Sequence, residues 1–190
     1  MAERAMPNLP NLLTLSRILL LPVILALLYY ERQLGPFAAW SAFGIYVFVA
    51  LTDFFDGWLA RKWNQITPFG TFLDPIADKI FVGVMLVAFA GLDRLNGYWM
   101  IPALIIIARE FLVSGLREYL GPYNVKLPVT QLAKWKTTVQ MLSIAFLIIG
   151  FALPGAMDYG RWLLTFAAVL TVITARGYLK AGLDHMRKIP

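Results

Sequence analysis

The chain has 190 residues, of which 59% are apolar and 15% are charged, and its mean hydropathy is +0.68. Soluble domains carry about 25% charged residues, so these figures argue against a water-soluble globular domain and against intrinsic disorder. The lack of cysteine excludes disulfide frameworks, zinc–thiolate sites and cysteine nucleophiles, and the single histidine leaves little material for a histidine triad. The net charge of +6 fits basic loops beside anionic lipid, and no nucleic-acid partner is expected.

Six apolar runs follow one another along the chain, each close to the roughly 20 residues that a transmembrane helix needs. The connections between them are short, which predicts a single membrane domain over residues 1–190. The predicted fold is an all-α polytopic bundle of six transmembrane helices, which cover Leu12–Tyr30, Pro36–Leu59, Pro75–Leu92, Trp99–Leu116, Trp135–Leu153 and Trp162–Leu179.

The basic residues predict the orientation of this bundle. The N-terminus, the second and fourth loops and the C-terminus together hold thirteen lysines and arginines, whereas the other three loops hold three. Cytoplasmic loops carry the excess of Lys and Arg in membrane proteins. Both termini are therefore expected in the cytoplasm.

Four aspartates lie at the predicted cytoplasmic ends of spans two and three. Asp53 and Asp56 are three residues apart, and Asp74 and Asp78 are four apart, so each pair shares one face of a helix. Charged groups at membrane depth are costly, and their default interpretation is functional. Two helices joined by a short loop can turn these faces together, which predicts that the four carboxylates converge.

Converging carboxylates repel one another unless cations neutralise them, and an all-oxygen site suits Mg²⁺, Mn²⁺ or Ca²⁺. Four carboxylates suffice for two ions, the arrangement common in phosphoryl chemistry. The alternative is that the aspartates cap helices or pair with Arg61, Lys62 and Lys79. Gly57 and Gly70 would let a nucleotide or phosphate approach the backbone closely.

These residues resemble a known signature. Asp53-Phe-Phe-Asp56-Gly57-Trp-Leu-Ala60-Arg61, eight residues, Gly70, three residues, Asp74, three residues and Asp78 match all eight fixed positions of the CDP-alcohol phosphotransferase family. The segments Asn8–Arg17, Arg109–Glu118 and Lys134–Gln140 are similar to the bacterial members that use glycerol 3-phosphate. Ala133 departs from that pattern, where a glycine is frequent.

The resemblance implies an enzyme of bacterial phospholipid biosynthesis in the plasma (inner) membrane, usually a homodimer, with its active site facing the cytoplasm. It would transfer the phosphatidyl group of CDP-diacylglycerol to sn-glycerol 3-phosphate and release CMP, using two divalent cations, Mg²⁺ or Mn²⁺. By resemblance Asp53, Asp56 and Asp74 would be shared metal ligands, and Asp78 would be a metal ligand and the base. From the residues alone, Asp78 cannot be ranked above Asp74 as the base. The implied CDP-diacylglycerol site contains Asp56, Gly57, Ala60, Arg61 and Gly70, and the prediction adds Thr14 and Arg17.

Glycerol 3-phosphate is a dianion, so its pocket requires fixed cations. Arg109 is the first candidate because it lies inside an apolar span, where an unpaired cation is costly. Arg117 lies on nearly the same helix face, and Lys134 and Lys136 begin span five on the same side of the membrane. Glu110 projects about 100° away from Arg109 on a helix and is not an automatic partner. The alternative is that these cations only contact lipid headgroups.

Two other functions remain open from the residues. One is the same reaction with another acceptor alcohol, such as inositol phosphate, serine or phosphatidylglycerol. The other is cation transport through the aspartates, which would predict polar residues at the midplane of several spans. Spans one, five and six are apolar at their centres, which favours the enzyme.

Overall fold

The computed structural model describes the backbone of residues 9–63, 68–123 and 131–186, and within these ranges the side chains of 14–52, 70, 72–121, 123, 131–180, 182–184 and 186. Every regular element in these ranges is helical, as the sequence predicts. The α-helices in chain order are α1 (Leu9–Tyr29), α2 (Glu31–Leu34), α3 (Pro36–Trp63), α4 (Pro68–Gly91), α5 (Met100–Leu120), α6 (Gln131–Ile149) and α7 (Ala156–Met186). Short 3₁₀ turns, Gly97–Trp99 and Gly121–Tyr123, precede and follow α5.

Each predicted span coincides with one of the six long helices, but some ends differ. Helix α4 begins at Pro68, seven residues before the predicted start at Pro75, which therefore lies inside the helix. A proline in a helix removes one backbone hydrogen bond, a loss that membrane helices tolerate. The short helix α2 was not predicted, and it ends at Gly35, whose φ of 72° suits glycine.

Among the residues that the structure describes, three helical segments are long and apolar enough to cross a membrane: Gly97–Leu120, Gln131–Ile149 and Ala156–Asp184. At about 1.5 Å per residue, each approaches or exceeds the roughly 30 Å of a bilayer core. Shorter apolar stretches occur at Thr14–Tyr29 and Pro36–Thr52. The count of six spans and the cytoplasmic position of both termini stay predictions.

The first of two compact units comprises residues 1–88 and 148–154, as far as they are described. Helix α1 packs along α3, and α2 packs against both. Tyr46 of α3 stacks on Phe81 of α4, with ring centroids 5.9 Å apart. The buried apolar side chains of α1 and α3 are Leu21, Ile24, Leu28, Ala38, Ala39, Ala42, Tyr46 and Val49.

The second unit comprises residues 89–147 and 155–190 within the same limits, and α5 packs along α7 in it. Val113 of α5 joins Ala175 and Tyr178 of α7 in a buried apolar cluster, with Leu116 against it. A Cβ atom at Gly182 would lie 2.6 Å from Cδ1 of Leu116, so the absence of a side chain at Gly182 allows the close approach of the two helices.

Arg94 organises the end of the second unit that contains the start of α5 and α7. Arg94 follows Asp93, whose φ is 59°. Only 2% of the Arg94 surface is exposed. Its guanidinium donates to the backbone carbonyl of Leu147, near the end of α6 where helix carbonyls lack intrahelical partners. Nε of Arg161 donates to the Arg94 carbonyl at 2.8 Å. Both arginines therefore bond to protein groups in the unit.

Candidate functional site

Two of the four predicted acidic residues lie on α4 with described partners on α1. Oγ1 of Thr14 donates to Oδ1 of Asp74 at 2.6 Å. One turn further along α1, the Arg17 guanidinium donates to Oδ1 of Asp78 and forms an ion pair with it. Asp74 and Asp78 are four residues apart, so the two contacts form successive links between the same two helices.

The position of Thr14 and Arg17 follows from the buried face of α1. Thr14, Arg17, Leu21, Ile24 and Leu28 are all buried and recur every three or four residues. One face of the helix therefore carries two polar residues near its start and apolar residues after them. Packing of the apolar part in the first unit orients the hydroxyl and the guanidinium toward α4.

The two members of the ion pair differ in exposure. The Asp78 side chain is 58% exposed, whereas that of Arg17 is 7% exposed. A buried guanidinium thus pairs with a carboxylate whose side chain is more than half exposed. This arrangement suits a site in which the acid acts on a ligand and the residue that supports the acid is rigid.

The other half of the predicted acidic site lies outside the described side chains. Asp53, Asp56, Gly57, Ala60 and Arg61 belong to the last part of helix α3, and nothing further is described of them. Gly70 is buried in the first turn of α4. In the part of the chain whose side chains are described, no three acidic, histidine or cysteine residues form a metal-binding group. Convergence of all four carboxylates therefore stays a prediction.

A second charged cluster lies in the other unit and joins α5 to α6. Oε1 of Glu110 accepts from Nη1 of Arg109 at 3.0 Å and from Nζ of Lys136 at 2.5 Å. The Arg109 guanidinium also lies over the ring of Tyr178, 5.6 Å from its centroid, within the range of a cation–π contact. The side chains of Arg109 and Lys136 are 11% and 7% exposed.

The predicted acceptor cations are thus divided into two groups. Arg109 and Lys136 lie together in the cluster, whereas Arg117 and Lys134 are exposed on their helices. Gln140, one turn after Lys136, is buried, and its Oε1 has no hydrogen-bond partner among the described residues. A buried acceptor without a partner is costly, so this atom is suited to a ligand donor.

Glu110 is the member of the cluster that the sequence did not reveal. The 100° separation on a helix does not make Glu110 an automatic partner of Arg109, but the structure brings Nη1 of Arg109 and Oε1 of Glu110 to 3.0 Å. A usable signal was present in the sequence, because an acid inside an apolar span needs a charged partner. The partner Lys136 lies 26 residues away, and only the tertiary structure identifies it.

Comparison with known proteins supports a common origin over nearly the whole chain. The family model described as CDP-alcohol phosphatidyltransferase matches residues 7–173, a range that includes every candidate site residue. Curated proteins named CDP-diacylglycerol–glycerol-3-phosphate 3-phosphatidyltransferase are similar over almost their full length. The protein from Rickettsia typhi is 44% identical over 183 residues, which are 93% of this chain and 97% of the relative.

Two further relatives with the same name come from other bacteria. The protein from Cereibacter sphaeroides is 38% identical and covers 95% of this chain and 97% of its own length. The protein from Escherichia coli K12 is 40% identical, and the similarity covers 92% of this chain and 94% of the relative. Together with the match over residues 7–173, these similarities show that the chain belongs to the CDP-alcohol phosphatidyltransferase family.

Proposed function

We propose that this protein transfers the phosphatidyl group of CDP-diacylglycerol to sn-glycerol 3-phosphate, giving phosphatidylglycerol phosphate and CMP. The observation that carries the proposal is that relatives 38–44% identical over more than nine tenths of both chains all have this enzyme name. Asp74 and Asp78, which contact α1, are the acids that support the proposal. Arg109 and Lys136, which both contact Glu110, are the cations that support it.

In this reaction a hydroxyl oxygen of glycerol 3-phosphate attacks the phosphorus that carries diacylglycerol. A new P–O bond forms, the P–O bond to CMP breaks, and the hydroxyl proton must pass to a base. Asp78 is the proposed base, because its carboxylate is the more exposed partner of its ion pair. Arg17 keeps that carboxylate in place from its buried position on α1.

The donor set fits hard divalent cations. Asp74 and Asp78 offer carboxylate oxygens one turn apart, and in the structure they attract a hydroxyl donor and a guanidinium. Oxygen ligands of this kind suit Mg²⁺ or Mn²⁺. Asp53, Asp56, Asp74 and Asp78 would hold two such ions, which would neutralise charge on the diphosphate and on the leaving CMP.

The substrate sites are assigned by charge. The CDP-diacylglycerol site is proposed to comprise the nucleotide-binding residues of α3 and α4 together with two of α1: Asp56, Gly57, Ala60, Arg61, Gly70, Thr14 and Arg17. For glycerol 3-phosphate, the nearly buried cations Arg109 and Lys136 are the main proposed ligands of the phosphate. The exposed Arg117 and Lys134 complete the proposed set of cations.

The proposed location is the inner membrane of a bacterium, with the site at the cytoplasmic boundary. One substrate is a lipid and the other is soluble in water, so the chemistry belongs where both can arrive. Large apolar side chains exposed on the helices, among them Phe111 at 70% and Phe166 at 54%, are suited to contact with lipid. A homodimer in the bilayer and a single domain over residues 1–190 complete the proposal.

The test is CMP release by detergent-purified protein with CDP-diacylglycerol and Mg²⁺. The acceptors compared are glycerol 3-phosphate, inositol phosphate, serine, phosphatidylglycerol and none. We expect release with glycerol 3-phosphate only, its loss on addition of EDTA, and its recovery with Mg²⁺ or Mn²⁺. Release with another acceptor would overturn the assignment of glycerol 3-phosphate as the acceptor. If folded protein released no CMP with any acceptor, the assignment as an enzyme would be overturned.

Asp78→Asn tests the base and has a matched control. Removal of a general base is expected to lower turnover by about 10²- to 10⁴-fold. Asp93→Asn makes the same change at an exposed loop residue whose φ of 59° asparagine also adopts, and it should leave turnover unchanged. Equal activity of the two variants would contradict the role of Asp78.

A further inference from the structure

Glu110 places its carboxylate between two nearly buried cations. One oxygen atom, Oε1, accepts from Arg109 on the same helix and from Lys136 on α6. The Glu110 side chain is 23% exposed, more than either cation, so the edge of the cluster is open beside the carboxylate. Glu110 therefore links α5 to α6 at the proposed phosphate-binding cations.

Two cations this close would repel each other without the carboxylate. Buried charges are tolerated only when they are paired and hydrogen-bonded. The flexible Lys136 side chain also has many rotamers, and the 2.5 Å contact with Glu110 favours the rotamers that reach this carboxylate. Arg109 is held from its other side by the ring of Tyr178.

The charge of the cluster remains favourable for an anion. Two cations and one carboxylate leave a net charge of +1, and both cations have donors beyond those that Glu110 accepts. The Arg109 Nε atom is buried and has no partner among the described residues. The cluster therefore combines fixed cations with donors that a phosphate can use.

We infer that Glu110 is a positioning residue for the acceptor: it holds Lys136 and Arg109 in the arrangement that binds the phosphate of glycerol 3-phosphate. This inference rests on the proposed function. It also predicts that neutralising Glu110 weakens acceptor binding, whereas charge repulsion alone predicts tighter binding. If Glu110 only repelled the phosphate, its neutralisation would tighten acceptor binding, whereas loss of positioning weakens it.

The experiment measures kcat and the KM of each substrate for Glu110→Gln in the CMP-release assay. We expect the KM for glycerol 3-phosphate to rise about 10- to 100-fold, as is typical when a hydrogen bond to a charged group is lost. The kcat and the KM for CDP-diacylglycerol should change less than about threefold, since a positioning role at the acceptor affects acceptor binding. Glu118→Gln, an exposed residue on the same helix, is the control and should match the wild type.

A double-mutant cycle shows whether Glu110 acts through Lys136. If it does, Glu110→Gln should raise the acceptor KM much less in the Lys136→Met background than in the wild type, because Glu110 and Lys136 belong to one interaction and only the contact with Arg109 is left to lose. Additive effects would overturn the inference. Glu110→Asp keeps the charge on a shorter side chain, and it should recover part of the acceptor affinity.

The remaining outcomes separate this inference from the proposed function. An unchanged or lower acceptor KM in Glu110→Gln, or an equal rise in the KM of both substrates, would overturn the role of Glu110 and leave the enzyme assignment intact. Wild-type protein that releases no CMP with glycerol 3-phosphate would refute the proposed function, and the inference with it. Thermal unfolding in detergent is measured for each variant, and a kinetic change that only follows lost folded protein would also overturn the inference.

Discussion

Gly160 of α7 lies against α6 in a contact that leaves no room for a methyl group. A Cβ atom at this position would lie 2.8 Å from Cγ of Leu147 and 3.0 Å from the Leu147 backbone nitrogen. A hydrogen bond also joins α6 and α7 at this point, because Oγ of Ser143 donates to the Gly160 carbonyl at 2.8 Å. Gly160→Ala must therefore displace Leu147, whose Cδ2 would also lie 3.0 Å away. Because the Leu147 backbone nitrogen is in contact as well as the side chain, a change of rotamer alone does not relieve the overlap.

The size of the effect follows from two opposing terms. Replacing glycine by alanine inside a helix stabilises it by about 0.5–1 kcal/mol. Overpacking costs about 1–3 kcal/mol, which leaves Gly160→Ala less stable by about 1 kcal/mol. Gly177, also in α7, has nothing within 4 Å of the place that a methyl group would occupy. Gly177→Ala should therefore be stabilised by the higher helix propensity of alanine, with no overpacking cost.

The assay is thermal unfolding of both variants and the wild type in one detergent, followed by tryptophan fluorescence. For a chain of this length, about 1 kcal/mol corresponds to about 2–4 °C in Tm. We expect Gly160→Ala to melt below the wild type and Gly177→Ala above it. A Gly160→Ala protein at least as stable as Gly177→Ala would refute the close α6–α7 contact.

Two further substitutions test contacts inside each of the two units. Arg94→Met keeps the length of the side chain but removes its donor to the Leu147 carbonyl, so it should lower stability by about 1–3 kcal/mol, measured as Tm in detergent. Exposed Arg32→Met is its control, and an equal Tm for both would contradict the capping role of Arg94. Thr14→Val removes the hydroxyl that donates to Asp74 without changing shape, and CMP release should fall about 5- to 20-fold. The control is Thr165→Val, which removes a hydroxyl that donates to the Arg161 carbonyl of its own helix and should keep wild-type turnover. Equal activity of the two threonine variants would show that the Asp74 contact does not matter.

The sequence was sufficient for the long helices because their signal is local. An apolar run of about 20 residues predicts a helix whatever its neighbours in the fold are. Each predicted span coincides with a long helix. The ends were less certain, as Pro75 shows, because a proline inside an apolar helix is compatible with both a start and a continuation.

The candidate site was predicted as a set of residue types, and the structure added their partners. The spacing of Asp74 and Asp78 already placed them on one face of α4. Their contacts with Thr14 and Arg17 join residues 60 and 61 positions apart, and no local pattern identifies such a pair. In the second unit, the same holds for Glu110 and Lys136.

By itself, the sequence determined the helical class, the acidic spacing and the resemblance to a family that the comparisons then confirmed. These properties depend on periodicity and residue identity, which are present in the unfolded chain. Only the tertiary structure decided which charges meet, since ion pairing of buried groups depends on how helices distant in sequence pack. The positions of Arg17 beside Asp78 and of Glu110 between Arg109 and Lys136 are decided in this way.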